Sequence, residues 1–326
     1  MEHFVTLFDS LFLPQGLALH RSMERQLENF TLWVVCVDRL AYDTLQKLAL
    51  PNVRLIDLAV VETPDLLSVK SGRSKGEYCW TLTPFAPGFV FDADSAIERV
   101  TYLDADLWFR ASPGPVFQEL DTSGKAVLIT DHLYAAEHDH SETNGRFCVQ
   151  FMTFSRNSGE VVRKWWQDRC IEWCFARLEN GLFGDQKYLD SWPTRFASEV
   201  HVLSADFPVL APWNMTRFPY SKAFAVHFHG VRLLDQQHVL IANNYAIPEV
   251  TFRQVYIQYM EDIALALALL ASIGFEPSPQ AKRPSVVQGL VARLRMAFWA
   301  ARVLWRAPVL KLATPQKADL FRKDQG

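Results

Sequence analysis

Basic surplus, paired cysteines and membrane-length apolar runs are all missing from this 326-residue chain. Lysine and arginine total 33 against 36 acidic residues, a net charge of −3, so nothing in the balance draws the chain to nucleic acid. The five cysteines are scattered, and Cys170 and Cys174 are spaced as helix neighbours rather than as a C-x-x-C zinc knuckle. They read as buried thiols in a reducing cytoplasm. The opening MEHFVTLFDSLFL has no basic leader, and Asp9 interrupts its apolar run, unlike a signal peptide. The most apolar stretch, Ile263 to Phe275, falls short of the roughly 20 residues a bilayer span requires. No repeat or low-complexity segment is evident.

What is there is an ordinary globular composition, 49% hydrophobic and 21% charged, with length enough for one large domain plus an extension. Strand-like and helix-like segments alternate through the first half. His3–Phe8, Thr31–Val37, Val53–Leu58, Val100–Leu103 and Ala126–Ile129 read as strands, and Gly16–Leu27 and Leu40–Leu48 as helices. Tyr78–Phe91 reads as a helix broken near Pro84 and Pro87. Strands separated by helices, with acids at their carboxyl ends, predict an α/β fold: a Rossmann-like, mostly parallel sheet flanked by helices. Such sheets bind ligands beyond the carboxyl ends of their strands. After Pro248 the pattern becomes helical, so the expected division is a domain at 1–248 and a helical C-terminal extension at 249–326.

One tripeptide occurs twice, as Asp92-Ala93-Asp94 and as Asp104-Ala105-Asp106. Carboxylates at i and i+2 on extended backbone project to one side and can address one hard cation, Mn²⁺ or Mg²⁺. The first pair follows the proline-broken helix and precedes SAIER, which reads as a turn or a helix cap. The second follows VTYL, a β-branched and aromatic run that reads as a strand ending at the acids.

YLDADLWF resembles the D-x-D strand end of GT-A glycosyltransferases, particularly the retaining family 8 enzymes that include glycogenin and bacterial lipopolysaccharide galactosyltransferases. Four more stretches fall in that family's order: the start FVTLFDSLFLPQGLALHRSM, then EYCWTLTP, FGDQKYLDSW and VHFHG. The resemblance runs from about His3 to Gly230. It implies a GT-A fold and transfer of a sugar from a nucleotide diphosphate, a UDP-sugar, to a hydroxyl on a glycan or lipid-linked acceptor. It assigns Asp104 to ribose and metal, Asp106 to direct coordination and His227 to the third protein ligand, with His229 as a substitute. It places Asp185 and Gln186 around the donor sugar and acceptor. A glutamine amide is a poor nucleophile, so Gln186 is expected to stabilise positive charge on the sugar rather than form a covalent intermediate.

Thr6 and Asp9 end the first strand and are candidates for base and ribose. Arg73 and Lys75 are candidates for phosphate or for the nearby acids, against a bland reading as solvated loop cations. Trp213 and Asn214 are candidates for acceptor stacking and a hydroxyl contact, against a buried tryptophan. The sequence departs from the family at two places. The lysine that follows H-F-x-G is replaced by Leu233, with Arg232 one residue earlier. The N-x-G segment stands here as Cys148-Val149-Gln150, so the identity of the sugar does not carry over.

Ser285 to Leu312 mixes arginines, tryptophans and aliphatics with no acid. Two readings stand: peripheral contact with the inner face of a membrane, or a helix packed on the domain. Two rival functions also stand. One is a nucleotide-sugar hydrolase or nucleotidyltransferase, although FDSLFLPQG lacks the glycine-rich phosphate loop the latter uses. The other is a non-catalytic nucleotide-sugar-binding protein of the same fold.

Overall fold

The computed structural model describes residues 1–241, 245–282 and 309–314. Its centre is a seven-stranded sheet built from β1 (Glu2–Phe8), β2 (Phe30–Cys36), β3 (Val53–Asp57), β4 (Arg99–Leu103), β6 (Val127–Asp131), β7 (Phe147–Ser155) and β8 (Val200–Val202), in the order 3-2-1-4-7-6-8. Every neighbouring pair is parallel except the two made by β7, which runs against both β4 and β6. β2 is buried along its whole length and β1 along its last five residues, which explains why their sequences read as continuous apolar runs rather than alternating ones. Helices cover both faces. Leu13–Gln26 lies on one, packed so closely that a side chain at Gly16 would meet the Phe8 ring at 2.5 Å. Lys75–Leu82, Ala86–Ala93 and Glu160–Glu172 bury their apolar residues on the other.

The expected strands and helices of the first half are present within a few residues, and the helix expected over 78–91 is split at Thr83–Phe85, ahead of Pro87. β7 went unread as a strand. It is the longest strand of the sheet and eight of its nine residues are buried, but the buried Gln150 and Thr153 interrupt its apolar run, so it reads neither as a continuous apolar strand nor as an alternating one.

Two smaller sheets complete the fold. β5 (Leu107–Phe109), β10 (Ala225–His227) and β9 (Val209–Leu210) form one; β11 (Arg232–Asp235), β12 (His238–Leu240) and β13 (Val309–Lys311) form the other. Residues 249–272 are helical, with Glu249–Thr251, a π-helical stretch at Phe252–Tyr256 and the helix Ile257–Ser272. Within the helical extension expected over 249–326, however, β13 is a strand. It pairs with β12, whose backbone groups offer an edge. Residues 285–308, most of the segment read as a membrane-surface helix, lie outside the described residues.

Glu249–Ser272 is long and apolar enough to cross a membrane by length and composition, but Tyr256, Tyr259, Ile263 and Leu270 are fully buried against the domain. Asp262 ties this helix to Leu13–Gln26 and β5. It pairs with Arg21 at 3.1 Å, receives two hydrogen bonds from Arg25, and accepts one from the Trp108 indole at 2.7 Å. Phe228 stacks on Tyr259 with ring centroids 3.6 Å apart, so the segment carrying His227 is packed directly on this helix.

Candidate metal and donor site

β4 delivers Asp104 to the carboxyl edge of the sheet, and the chain turns at once. Leu107 N donates to Asp104 O at 3.0 Å, and β5 begins. The antiparallel register of β5 with β10 sets His227 opposite Leu107, and Phe228 N donates to Asp106 O at 2.9 Å. This pairing brings two distant sequence segments to one point. His227 Nε2 lies 3.0 Å from Asp106 Oδ1 and 3.7 Å from Asp104 Oδ2. One ligand atom from each of Asp104, Asp106 and His227 falls within 4.8 Å of the others.

Two carboxylates and an imidazole are the donor set of a borderline-to-hard divalent cation. The electrostatics point the same way. Burial pushes the Asp104 carboxyl up to about 7; His227 opposes the shift and Asp106 adds to it. Burial would also raise Asp106, but the neighbouring His227 overrides it, helped by Arg232, and holds Asp106 well below the usual range. His227, which burial alone would deprotonate, is instead raised well above its ordinary value by Asp106. Asp185 is raised well above its ordinary value by burial and then by Asp104, and its Oδ2 is buried without a partner. Asp104 and Asp185 are thus held toward their protonated forms near one imidazole and one guanidinium, and a divalent cation would stabilise the ionised carboxylates.

Asp185 owes its position to the loop before it. Gly184 adopts φ +55°, where a side chain would also crowd Trp80 at 3.4 Å, and the Trp166 indole donates to Asp185 O at 2.8 Å. Asp185 does not cap the following turn; Gln186 occupies that position. The Gln186 amide donates to Asn144 O at 2.6 Å.

Thr6 is fully buried with an unpartnered hydroxyl, one residue beyond the Val5–Tyr102 pairing of β1 with β4. The Asp9 carboxylate accepts from Leu11 N at 3.0 Å; burial and then Asp38 raise its pKa, while Lys75 lowers it. Arg232 sets a guanidinium nitrogen 3.6 Å from Asp106 Oδ2 and lies over the Phe12 ring. Leu233, at the position of the resembling family's lysine, is instead buried in a core with Val239. The register of β11 therefore turns Arg232, not its neighbour, toward the acids.

Other candidates are spent elsewhere. Arg73 donates to the Thr81 hydroxyl and to Ile171 O, tying two helices together. The Asn214 amide donates to His132 O and Val209 O and accepts from Ala211 N, which makes it a loop staple. Trp213 is buried, donates to His132 O, and stands edge-on to both His227 and His229. His229 is exposed and falls beyond the end of β10, outside the ligand cluster. Asp94 closes the helix Ala86–Ala93 and accepts from Ala96 N, the turn role expected of the first D-A-D.

Several residues around the centre were not singled out from sequence for these roles. The Tyr102 hydroxyl donates to Asp104 Oδ1 at 3.0 Å, and Gln150 Oε1 lies 2.6 Å from His227 Nδ1. The Cys148 thiol, which burial would raise, is drawn down to about 6 by His132 and then His227. The period-two spacing of Tyr102 from Asp104 was a readable signal. Cys148 and Gln150 stand in the sequence only as the counterpart of the N-x-G segment, and their contact with His227 follows from the pairing of β7 with β4.

No family model matches the chain. Two uncharacterized proteins of Bacillus subtilis strain 168 are similar to it: YfnD, 29% identical over 79% of this chain and 87% of its own length, and YfnF, 28% identical over 67% and 74%. Among solved structures, the glycosyltransferase GlyE of Streptococcus pneumoniae TIGR4 matches with a TM-score of 0.50 and 14% identity, over 86% of this chain and 66% of that one. The likeness at that identity is one of fold. The chain has the mixed α/β architecture of the GT-A glycosyltransferases, with a mostly parallel central sheet flanked by helices.

Proposed function

We propose that the chain is a divalent-metal-dependent glycosyltransferase that moves a sugar from a nucleotide diphosphate donor, a UDP-sugar, to a hydroxyl acceptor with retention of configuration. The observation that carries the proposal is the meeting of Asp104, Asp106 and His227 at the carboxyl edge of the sheet, with ligand atoms within 4.8 Å. Asp104, Asp106 and His227 would hold Mn²⁺ or Mg²⁺. The cation, when bound, supplies Lewis-acid stabilisation to a departing diphosphate.

The chain's own residues supply the remainder. Arg232 faces the same space and contributes a second positive charge for phosphate oxygens. Thr6, two residues before the end of β1, and Asp9, just beyond it, are suited to contact a nucleoside at the carboxyl edge of the sheet. Asp185, buried beside Asp104 with a bare oxygen, is suited to hold a sugar hydroxyl, and Gln186 follows it. Acceptors in cell-envelope polysaccharide or lipopolysaccharide assembly fit a cytoplasmic enzyme of this class.

The test is Asp106→Ala, with Mn²⁺-dependent UDP binding and UDP-sugar turnover as readouts. Loss of both is expected, and unchanged values would end the assignment. Product analysis separates the rivals. UDP and free sugar released at full rate without acceptor indicates a hydrolase; donor binding without turnover across a broad acceptor panel indicates a binding protein.

A further inference from the structure

We infer that Gln150 is a positioning residue for His227: its amide oxygen holds the Nδ1 proton of the imidazole, so that the Nε2 lone pair is presented to the cation beside Asp104 and Asp106. The inference rests on the metal-centre reading above. Gln150 lies within β7, has no exposed surface, and places Oε1 2.6 Å from His227 Nδ1. Its backbone is fixed to the acid pair as well, because Gln150 O accepts from Asp104 N at 3.1 Å. One residue thus holds both the strand end that bears the first acid and the ring that completes the set.

The chemistry requires such a partner. An imidazole that ligates through Nε2 carries its single proton on Nδ1, and a buried N–H needs an acceptor. A carboxylate is the common choice for that task, but here it would add a fourth acid to Asp104, Asp106 and Asp185. A neutral amide oxygen fixes the same tautomer without that charge. Trp213 stands edge-on to the ring at 5.5 Å between centroids, which limits its rotation, while Gln150 sets which nitrogen carries the proton.

The far end of the side chain argues against simple packing. Gln150 Nε2 is buried with no partner, a condition that native interiors avoid. The amide tolerates that loss while keeping its oxygen on His227.

The test is Mn²⁺ titration of the full chain followed by electron paramagnetic resonance, with pulsed detection of the imidazole nitrogen bound to Mn²⁺. Gln150→Met keeps the length and removes the acceptor. Its expected result is Mn²⁺ affinity about 10- to 100-fold weaker, with the nitrogen coupling reduced or lost. Gln150→Glu restores an acceptor and is expected to bind Mn²⁺ at least as tightly as wild type with the nitrogen coupling retained. If Gln150→Met does not fold, Gln150→Asn, whose amide falls short of the ring, is expected to show the same loss. Wild-type affinity and coupling in the Met or Asn variant overturns the inference, as does a folded Glu variant without the coupling. A wild type that shows no nitrogen-coupled Mn²⁺ removes the metal centre itself, and the two failures are thereby distinguishable.

Discussion

His227 stands opposite Leu107 in the pairing of β10 with β5, and that register brings its Nε2 within 3.0 Å of Asp106 Oδ1. Acid and base come from separate segments of the chain, and no helix or loop geometry local to either would have joined them. The pairing also couples the site to the C-terminal helix, since the next residue, Phe228, stacks on Tyr259.

Cation affinity should rise with pH. Burial pushes the Asp104 carboxyl up to about 7, with His227 opposing and Asp106 reinforcing the shift. Below that value the metal-free fold holds a proton that a cation must displace; above it the carboxylate is free to bind. The affinity for Mn²⁺ should therefore strengthen by up to about tenfold per pH unit for each displaced proton, and it should go on rising above the Asp104 range, because the raised His227 must also give up its Nε2 proton to ligate. The metal-free fold moves the other way, because a buried acid with a raised folded value costs stability as pH climbs from its ordinary value through about 7. Calorimetric titration on either side of neutrality checks the sign, and equal affinities would contradict it.

Asp185→Asn should raise stability and lower turnover. Burial and Asp104 hold its carboxyl well above the ordinary range, and its Oδ2 is unpartnered. A neutral isostere removes the penalty for burying an ionisable carboxyl, so the fold should gain stability at neutral pH. A higher melting temperature with reduced turnover is the expected pair of results. A fall in stability would show that Asp185 is structural.

Arg232 and Leu233 should respond differently despite being neighbours. Arg232→Ala removes the guanidinium 3.6 Å from Asp106 and should weaken binding of a nucleotide diphosphate by about 1.5–3 kcal/mol, with little change in folding. Leu233→Lys, which rebuilds the motif of the resembling family, places an ammonium at a site only 1% exposed. It should destabilise the fold by about 3 kcal/mol or more without improving donor binding. Denaturant melts and calorimetry on both variants decide the matter.

Asp262→Ala should be among the most damaging changes far from the site. It strips Arg21, Arg25 and the Trp108 indole of their shared acceptor. Removing one partner of a buried ion pair costs about 3–5 kcal/mol. Urea unfolding measures it, and a loss under 1 kcal/mol, in the range of an exposed pair, would show the network to be superficial.

The amino-acid sequence by itself determined the alternation of strands and helices, the strand that ends at Asp104, and the turn role of Asp94. These are local: period, proline breaks and β-branched runs act within a few residues. The ligand set was legible only through resemblance, residue by residue. Tertiary structure decided the rest. It placed β7 antiparallel between β4 and β6 and so brought Gln150 to His227, turned Arg232 rather than position 233 toward Asp106, and committed Arg73 and Asn214 to the scaffold. Strand pairing and register depend on which surfaces can be buried together, and that long-range choice is written in no single stretch of the chain.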